Sequence, residues 1–303
     1  MNILAPIVVF TYNRPEHTLR TFNALLENPL ANESDIIIYS DSAKTANHNK
    51  SVDEVRSLLS EITGFRSKKV IHRDKNFGLA ESIIQGVTEV LQESEKVIVL
   101  EDDMVVSPYF LEYMNEALEQ FVEDDRVISV HGYVYPVDFE LPEAFFVKGA
   151  DCWGWATWRR GWEIFEPNGQ FLLDELMRRH LIQEFDYNGA YPYSNMLSAQ
   201  IKGANDSWAI RWHASAFLAD KLTLYPGRSL VHNSGNDGSG THCRNSDRME
   251  VKLSKTKINL DNIAVESSRI GREAFEIFFK QSQKSLLHQF FGKIKVFVQE
   301  KIR

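Results

Sequence analysis

The sequence contains very little cysteine. Its 303 residues include only Cys152 and Cys243. Two cysteines cannot form a disulfide framework, so the composition fits a reducing cytoplasm. They are also too few for the sulfur-rich sites that bind structural zinc, although a mixed Cys/His site stays open.

Long apolar runs are absent as well. No uninterrupted apolar stretch reaches the roughly 18 residues of a membrane-spanning helix. The N-terminus begins in a strand pattern, without a basic segment followed by an apolar one, so no signal peptide is expected. Both observations favour a cytoplasmic protein.

Positive charge is in deficit. The chain has 34 Lys and Arg against 42 Asp and Glu, a net charge of −8, which argues against a dedicated nucleic-acid binder. Hydrophobic residues make up 43% and charged residues 25%, as is usual for a soluble protein with a sizeable core. The length suits one large domain or a domain with an elaborated second half.

The first hundred residues alternate between strand and helix patterns. Short apolar runs at 5–10, 36–39, 70–71 and 97–100 predict strands. Between them, apolar residues recur at helical spacing in three sets: Leu19, Phe22 and Leu26; Val52, Val55, Leu59 and Ile62; and Leu79, Ile83, Val87, Val90 and Leu91. This alternation predicts an α/β fold with parallel strands and helices on the faces of the sheet.

Three carboxylates, Glu101, Asp102 and Asp103, follow the fourth predicted strand directly. Right-handed crossovers bring the carboxyl ends of parallel strands to one edge, where open α/β sheets bind ligands. Carboxylates crowded in this way repel one another, and a hard divalent cation would relieve the repulsion. The alternative is a solvated acidic turn that caps the following helix.

Polar side chains also follow the other three predicted strands. They are Thr11, Asn13 and Arg14 after the first strand, Asp41 after the second, and Arg73, Asn76 and Gly78 after the third. Asp41 could accept hydrogen bonds from a base or a ribose, or could be a turn residue. Gly78 would let a ligand approach the start of a helix closely, or could belong to a plain capped turn. Four polar exits in succession outline a crevice.

The second half carries further candidates, and its alternation is weaker. Helix and strand patterns cover 108–121, 127–130 and 222–225. A tryptophan-rich stretch holds Trp153, Trp155, Trp158 and Trp162; we expect Trp153 and Trp155 to contact sugars and the other two to pack inside. Two histidines are also candidates: His232 follows an apolar run, and His242 lies in a Gly-rich loop.

The C-terminal segment 285–303 has a separate pattern. A wheel of 100° per residue gathers Leu286, Phe290, Phe297 and other apolar residues on one face, with Lys293 and Lys295 beside it. Such a basic amphipathic helix suits an anionic membrane surface, which would make the protein peripheral on the inner face of the plasma membrane. The alternatives are packing on the protein itself and a dimer contact.

The order of the motifs resembles a known family. The segment 8–15 (Val-Val-Phe-Thr-Tyr-Asn-Arg-Pro), then Asp41, then 76–80 (Asn-Phe-Gly-Leu-Ala) and then Glu-Asp-Asp at 101–103 are similar to GT-A-fold glycosyltransferases, notably those of family 2. The Glu-Asp-Asp form is also similar to N-acetylglucosaminyltransferase I. The resemblance covers the first half well and the second only through scattered motifs. It implies the GT-A fold, a mostly parallel central sheet flanked by helices in a single elaborated domain over 1–284, with a nucleotide-sugar-binding half at 1–104 and an acceptor-binding half at 105–284.

The resemblance also implies roles for the candidate residues. Thr11, Asn13, Arg14 and Asp41 would hold the nucleoside, and Arg73, Asn76 and Gly78 would lie near the diphosphate. Asp103 would ligate Mn²⁺ or Mg²⁺ and Asp102 would contact ribose or a metal-bound water, while either His232 or His242 would complete the metal site. The leading Glu101 departs from the usual Asp-X-Asp motif, which leaves the sharing of ligand roles open.

A catalytic base is implied for the acceptor hydroxyl. Asp206, before Ser207 and Trp208, resembles the downstream acidic motif of inverting members, although an N-cap role is the alternative. Asp151, just before the tryptophans, is the second candidate.

The expected function is that of a metal-dependent, inverting hexosyl- or N-acetylhexosaminyltransferase in cell-surface polysaccharide synthesis. A nucleotide diphosphate sugar, with a UDP-sugar favoured, would donate to a hydroxyl of a glycan or lipid-linked acceptor. A sugar-phosphate nucleotidyltransferase should have a Gly-rich basic loop after the first strand, but residues 11–15 contain only Arg14 and no glycine. A catalytically inactive carbohydrate-binding protein of the same fold is the other alternative.

Overall fold

The structure is a computed structural model that describes residues 3–237 and 247–283. Its strands are β1 (Ile7–Thr11), β2 (Asp35–Ser40), β3 (Ser67–His72), β4 (Lys96–Glu101), β5 (Met104–Val106), β6 (Val127–His131), β7 (Ala144–Lys148), β8 (Trp155–Trp158), β9 (Leu222–Pro226) and β10 (Val231–Asn233). Its helices are α1 (Pro15–Leu26), α2 (Asn49–Glu61), α3 (Leu79–Glu93), α4 (Phe110–Gln120), α5 (Arg159–Trp162), α6 (Gly169–Arg178), α7 (Ile182–Phe185), α8 (Tyr193–Ile201), α9 (Trp208–Leu218) and α10 (269–283).

Eight of these strands form the central sheet, in the order β3-β2-β1-β4-β8-β6-β9-β7. The first four strands are parallel, as the sequence predicts. In the second half, β8 lies antiparallel between β4 and β6, and β7 is antiparallel to β9. The predicted α/β architecture with a flanked central sheet is confirmed, and the mixed part of the sheet comes from the second half of the chain.

The strand register brings the ends of β1 to β4 to the same level. Thr11 of β1 is level with Ser40 of β2, and Ser40 is level with His72 of β3. On the other side, Phe10 pairs with Glu101 of β4. The polar residues that follow these strands therefore share the carboxyl edge of the sheet. Strands β1 and β4 are continuous apolar runs that helices cover on both faces. The buried strands therefore hold the residues at this edge in fixed positions.

Helix α1 buries Phe22 of its predicted apolar spacing but not the two leucines. Leu19 and Leu26 are 45% and 37% exposed, whereas Thr21 is fully buried. The Thr21 hydroxyl donates a hydrogen bond to the Asp102 carbonyl at 2.9 Å. The small polar side chain lets the helix approach the acidic triplet, and two leucines are left on the outside.

The predicted amphipathic segment 285–303 lies outside the described residues. Within 3–237 and 247–283, no helix combines the length and the apolar character needed to cross a bilayer. Membrane attachment through the terminal segment therefore stays a prediction.

Candidate active site

The carboxylates of Asp102 and Asp103 share one guanidinium at the end of β4. Arg14 Nη2 lies 2.5 Å from Asp102 Oδ1 and 2.7 Å from Asp103 Oδ2. Burial alone would lower the pKa of Arg14, but the charges of Asp102 and Asp103 raise it above its ordinary value. Arg14 therefore stays charged and links the end of β1 to the acidic triplet.

The triplet carries more negative charge than Arg14 neutralises. Burial, together with the charges of Asp103 and Asp102, raises the pKa of Glu101 to about 8. Burial also raises the pKa of Asp102, although Arg14 opposes the change. The turn is nearly buried and leads into strand β5, so the alternative of a solvated turn that caps a helix is excluded. A cation bound beside the turn would favour the ionised forms of these carboxyl groups, which burial and crowding disfavour.

Asp103 presents one carboxylate oxygen that the described residues leave unpaired. Its Oδ1 is buried and has no hydrogen-bond partner among them. The Asp103 carbonyl, by contrast, accepts a bond from Ser234 N at 2.8 Å. Gly235 is pressed against the carboxylate, since an added Cβ would lie 2.1 Å from Asp103 Oδ2. An unpaired buried carboxylate oxygen is a ligand that Mn²⁺ or Mg²⁺ accepts, so Asp103 fits the predicted metal role.

His232 lies close to this turn. It sits on β10, where it pairs with Val105 of β5, and its Nδ1 is 3.7 Å from Glu250 Oε2 without a hydrogen bond. Among the residues that the structure describes, no group of three His, Cys, Asp or Glu side chains could hold a metal ion. His242 lies outside these residues. A metal role for either histidine stays a prediction.

Asp41 uses its carboxylate to join two loops. Oδ1 accepts the backbone N–H groups of Ser42 and Phe77, both at 2.9 Å. Oδ2 accepts Asn76 Nδ2 and Gly78 N, also at 2.9 Å. A carboxylate offers about four lone pairs, so these bonds fill it. The structure thus brings Asp41, Asn76 and Gly78 together at the start of α3, while contact between Asp41 and a nucleoside stays a prediction.

The Arg73 guanidinium has N–H groups without an acceptor among the described residues. Its guanidinium carbon lies 4.9 Å from the centre of the Tyr39 ring and 4.7 Å from that of Phe77. Its Nη1 is 3.6 Å from Glu89, while Nε and Nη2 are buried without a hydrogen-bond partner in the described part of the chain. The adjoining cavity of about 320 Å³ is lined by Ile71, His72, Arg73, Asp74, Lys75 and Phe77. A ligand with oxygen acceptors would satisfy the free N–H groups.

The first strand exit contributes less through Thr11 than we expect from the sequence. Thr11 is buried, and its hydroxyl donates to the Tyr39 carbonyl at 3.2 Å inside the sheet. Asn13 is half-buried in the turn before Arg14. Tyr12, which sequence reasoning missed, donates its backbone N–H to Asp102 Oδ2 at 3.2 Å. Its position between two predicted residues was the available signal.

Asp206 is exposed and precedes the cap of α9. The cap is Ser207, whose hydroxyl accepts a bond from Ile210 N at 3.2 Å. The N-cap alternative for Asp206 is therefore excluded. Burial lowers the pKa of Arg211, whereas the charges of Asp206 and Glu81 raise it, so the starts of α9 and α3 lie near each other. The location of Asp206 relative to the other candidates and its role as a base stay predictions.

The predicted acceptor contact of Trp155 disagrees with the structure. Trp155 is 1% exposed because β8 is covered on both faces, and its indole packs among Trp162, Trp208 and Trp212. Trp153 is half-buried, with its ring centre 4.8 Å from that of Tyr133. Only Trp153 of this pair can face a ligand.

Asp151 is held by a tyrosine that sequence reasoning did not connect to it. Tyr135 Oη donates to Asp151 Oδ2 at 3.1 Å, and Cys152 N donates to Oδ1 at 2.9 Å. The strand β7 separates Tyr135 from Asp151 in sequence, so no local pattern indicated the contact.

Comparison with known proteins identifies a family for this arrangement. The model of "Glycosyl transferase family 2" matches residues 7–163, slightly more than half of the chain. No curated protein is significantly similar to the chain.

Solved structures show weak similarity. The mannosyltransferase PcManGT from Pyrobaculum calidifontis, in complex with GDP-Man and Mn²⁺, has 12% identity and a TM-score of 0.31 over 44% of this chain and 36% of its own. Residues 1–349 of S. aureus TarS have 12% identity and a TM-score of 0.39 over 77% of this chain and 61% of that one. The chain thus spans less than two thirds of either.

Proposed function

The chain belongs to glycosyl transferase family 2, and we propose that it transfers a sugar from a nucleoside diphosphate to a hydroxyl of a glycan or lipid-linked acceptor. In the proposed reaction, the acceptor oxygen attacks the anomeric carbon, the bond from that carbon to the diphosphate breaks, and the configuration inverts. The observation that carries the proposal is the buried triplet with its unpaired Asp103 oxygen beside Arg14.

The donor would lie across the carboxyl edge of β1 to β4. Arg73 supports this, since it lines a cavity and its buried Nε and Nη2 lack acceptors within the described residues. Gly78, with φ at +74° and open space around the position of a side chain, leaves the start of α3 accessible to an anion. Asp41 supports the nucleoside region by fixing the loop that holds Asn76 and Gly78. A UDP-sugar is the first donor to test.

Asp103 and His232 would hold a divalent cation. Mg²⁺ and similar ions are often bound by one or two carboxylates, with substrate phosphates and water completing the coordination, so a site with few protein ligands suits this reaction. When bound, the cation supplies positive charge to the leaving diphosphate.

Asp206 would take the proton of the acceptor hydroxyl. A carboxylate at the start of α9 can accept that proton if the acceptor lies within hydrogen-bond reach. The contact between α3 and α9, the helix that Asp206 precedes, supports this role.

The proposal is tested with purified protein and a panel of nucleotide sugars, with Mn²⁺, with Mg²⁺ and with a chelator. We expect one donor to raise the melting temperature and to be hydrolysed slowly, and we expect the chelator to abolish hydrolysis. Asp103→Asn should abolish the hydrolysis that depends on the metal, because it replaces one carboxylate oxygen with an amide group that donates hydrogen bonds. The proposal fails if no nucleotide sugar binds or is hydrolysed under any condition. Binding that is unaffected by the chelator would overturn the metal role alone.

A further inference from the structure

Residues 151–154 pass beside the acidic triplet. Strand β8 is antiparallel to β4, with Trp155 opposite Val99, so the chain before Trp155 runs level with the end of β4. A Cβ added at Gly154 would lie 3.3 Å from Leu100 Cδ2, which places Gly154 next to the residue before Glu101. A ligand bound at 151–153 would therefore adjoin the donor edge.

This segment lies among aromatic side chains, which we call the aromatic cluster. Four aromatic residues around Asp151 are half-buried: Tyr135, Trp153, Tyr191 and Tyr193. The rings of Tyr191 and Tyr193 have centres 4.4 Å apart. Half-buried aromatic rings offer apolar faces to the C–H face of a sugar and polar edges to its hydroxyls.

The aromatic cluster is packed against helix α10. The Tyr135 ring stacks on Phe278 of α10, with centres 5.0 Å apart and planes at 28°. Phe275 and Phe279 contact the same ring edge-on. Packing from three sides orients the Tyr135 hydroxyl, and this hydroxyl orients Asp151.

Asp151 retains acceptor capacity. Each of its two oxygens accepts one hydrogen bond, from Cys152 N and Tyr135 Oη, and a carboxylate has about four lone pairs in all. In the described part of the chain, neither bond comes from a lysine or arginine. The remaining lone pairs can accept bonds from two neighbouring hydroxyls of a sugar.

Two carboxylates, those of Asp151 and Glu250, give the aromatic cluster negative charge. The charge of Asp151 raises the pKa of Tyr133 and Tyr191, in addition to the larger effect of burial, and Glu250 acts on Tyr133 as well. Arg272 is engaged elsewhere: its Nη2 donates to the Glu184 carbonyl at 2.7 Å, and its guanidinium carbon lies 4.7 Å from the centre of the Tyr187 ring. An anionic sugar such as a uronate would be repelled here.

We infer that Asp151, held by Tyr135 and flanked by Trp153, Tyr191 and Tyr193, is the recognition site for the acceptor sugar and selects one without negative charge. The inference rests on the proposed transferase function. Asp151 is a binding residue in it, and Asp206 keeps the role of base.

Methyl glycosides are the probes, because they carry no nucleotide and so report on this site separately from the donor site. Ligand-observed NMR would measure the affinity of full-length protein for methyl β-glucoside, methyl N-acetyl-β-glucosaminide and methyl β-glucuronide. We expect a neutral glycoside to bind and the glucuronide to bind at least about tenfold more weakly. Asp151→Asn should weaken neutral binding about tenfold, because hydrogen bonds to a charged acceptor are lost, and should narrow the gap to the glucuronide.

Two further variants separate recognition from folding. Tyr135→Phe removes only the hydroxyl that orients Asp151 and should weaken neutral binding in the same direction. Asp138→Asn, at an exposed position that is not part of the aromatic cluster, is the matched control and should bind as wild type does. The inference is overturned if wild type binds no glycoside, if it prefers the glucuronide, or if Asp151→Asn changes neither affinity. Donor hydrolysis is measured in parallel, and its absence would count against the transferase proposal alone.

Discussion

Aspartates at one edge of the sheet differ in what their neighbours leave free. Asp41 receives four hydrogen bonds and is fully used by the chain. Asp151 receives two, and Asp103 keeps a buried oxygen that no described residue satisfies. The sequence predicts where Asp41 and Asp103 lie, because each follows a predicted strand, whereas Asp151 was singled out only because it precedes the tryptophans. It does not reveal how many donors surround each carboxylate, because most of those donors come from other loops.

Asp206→Asn is the sharpest test at the level of one residue. The amide is nearly isosteric but does not take up a proton at neutral pH, so transfer to an acceptor should fall by about 10²-fold or more, the range that general bases contribute. The nucleotide affinity should stay within about twofold of wild type, since the base contacts the acceptor. Transfer rates and nucleotide titrations measure the two effects.

The matched control is Asp220→Asn, which lies just beyond the opposite end of α9. Asp220 is exposed, pairs with Lys148 at 2.8 Å and has a φ of +55° that asparagine also tolerates. It should retain full activity. A loss of nucleotide affinity in Asp206→Asn, or unchanged transfer, would remove Asp206 from the role of base.

At the level of elements, the packing of α3 positions the donor edge. Gly86 faces the sheet, and a Cβ there would lie 2.7 Å from Phe10 Cε1 and 3.0 Å from Tyr39 Cε2. Tyr39 in turn lies beneath Arg73. The close contact of α3 with these rings therefore fixes both the start of the helix and the guanidinium.

Gly86→Ala should destabilise the protein by about 1–3 kcal/mol, the usual cost of overpacking a core. The helix propensity of alanine would offset up to about 1 kcal/mol of the clash. Urea unfolding at equilibrium measures the difference. Gln92→Ala, at an exposed site on the same helix, is the control and should leave the free energy of unfolding nearly unchanged. A variant as stable as wild type would show that α3 can move away from β1 at little cost.

Elements with a clear apolar period were predicted well, and those whose form depends on distant partners were not. The strands from β1 to β4 and the helices α2 and α3 follow their sequence patterns. Helix α1 also forms where its pattern predicts, but Leu19 and Leu26 of that pattern are exposed and Thr21 is buried, bonded to the Asp102 carbonyl. Strand β8 was not recognised, because its four residues read as part of a tryptophan-rich stretch and its partners β4 and β6 are far away in sequence.

At the level of the whole molecule, the predicted donor and acceptor halves share one sheet. Strand β4 of the first half pairs with β8 of the second, and the tryptophan core spans both. The predicted division at residue 104 concerns the proposed substrate contacts, and the sheet and the tryptophan core continue across it. The shared sheet therefore fixes the distance between the aromatic cluster around Asp151 and the acidic triplet.

Deletion of 285–303 tests the terminal segment, which lies outside the described residues. We expect the full chain to sediment with vesicles that contain anionic lipid and the shortened chain to stay in the supernatant. Donor hydrolysis should be retained, since the proposed donor residues lie before 240. Neutral vesicles are the control for charge. Equal sedimentation of both chains would contradict the membrane prediction.

The insertion of β8 between β4 and β6 has a consequence for synthesis on the ribosome. When β1 to β4 have emerged, the outer side of β4 has no partner until residues 155–158 follow. A long apolar strand with an open edge is a template for pairing with other chains. The nascent protein thus passes through an aggregation-prone interval of more than fifty residues, about three to ten seconds at ordinary rates of elongation. Chaperone demand should be greatest there, before the crevice at the edge of the sheet is complete.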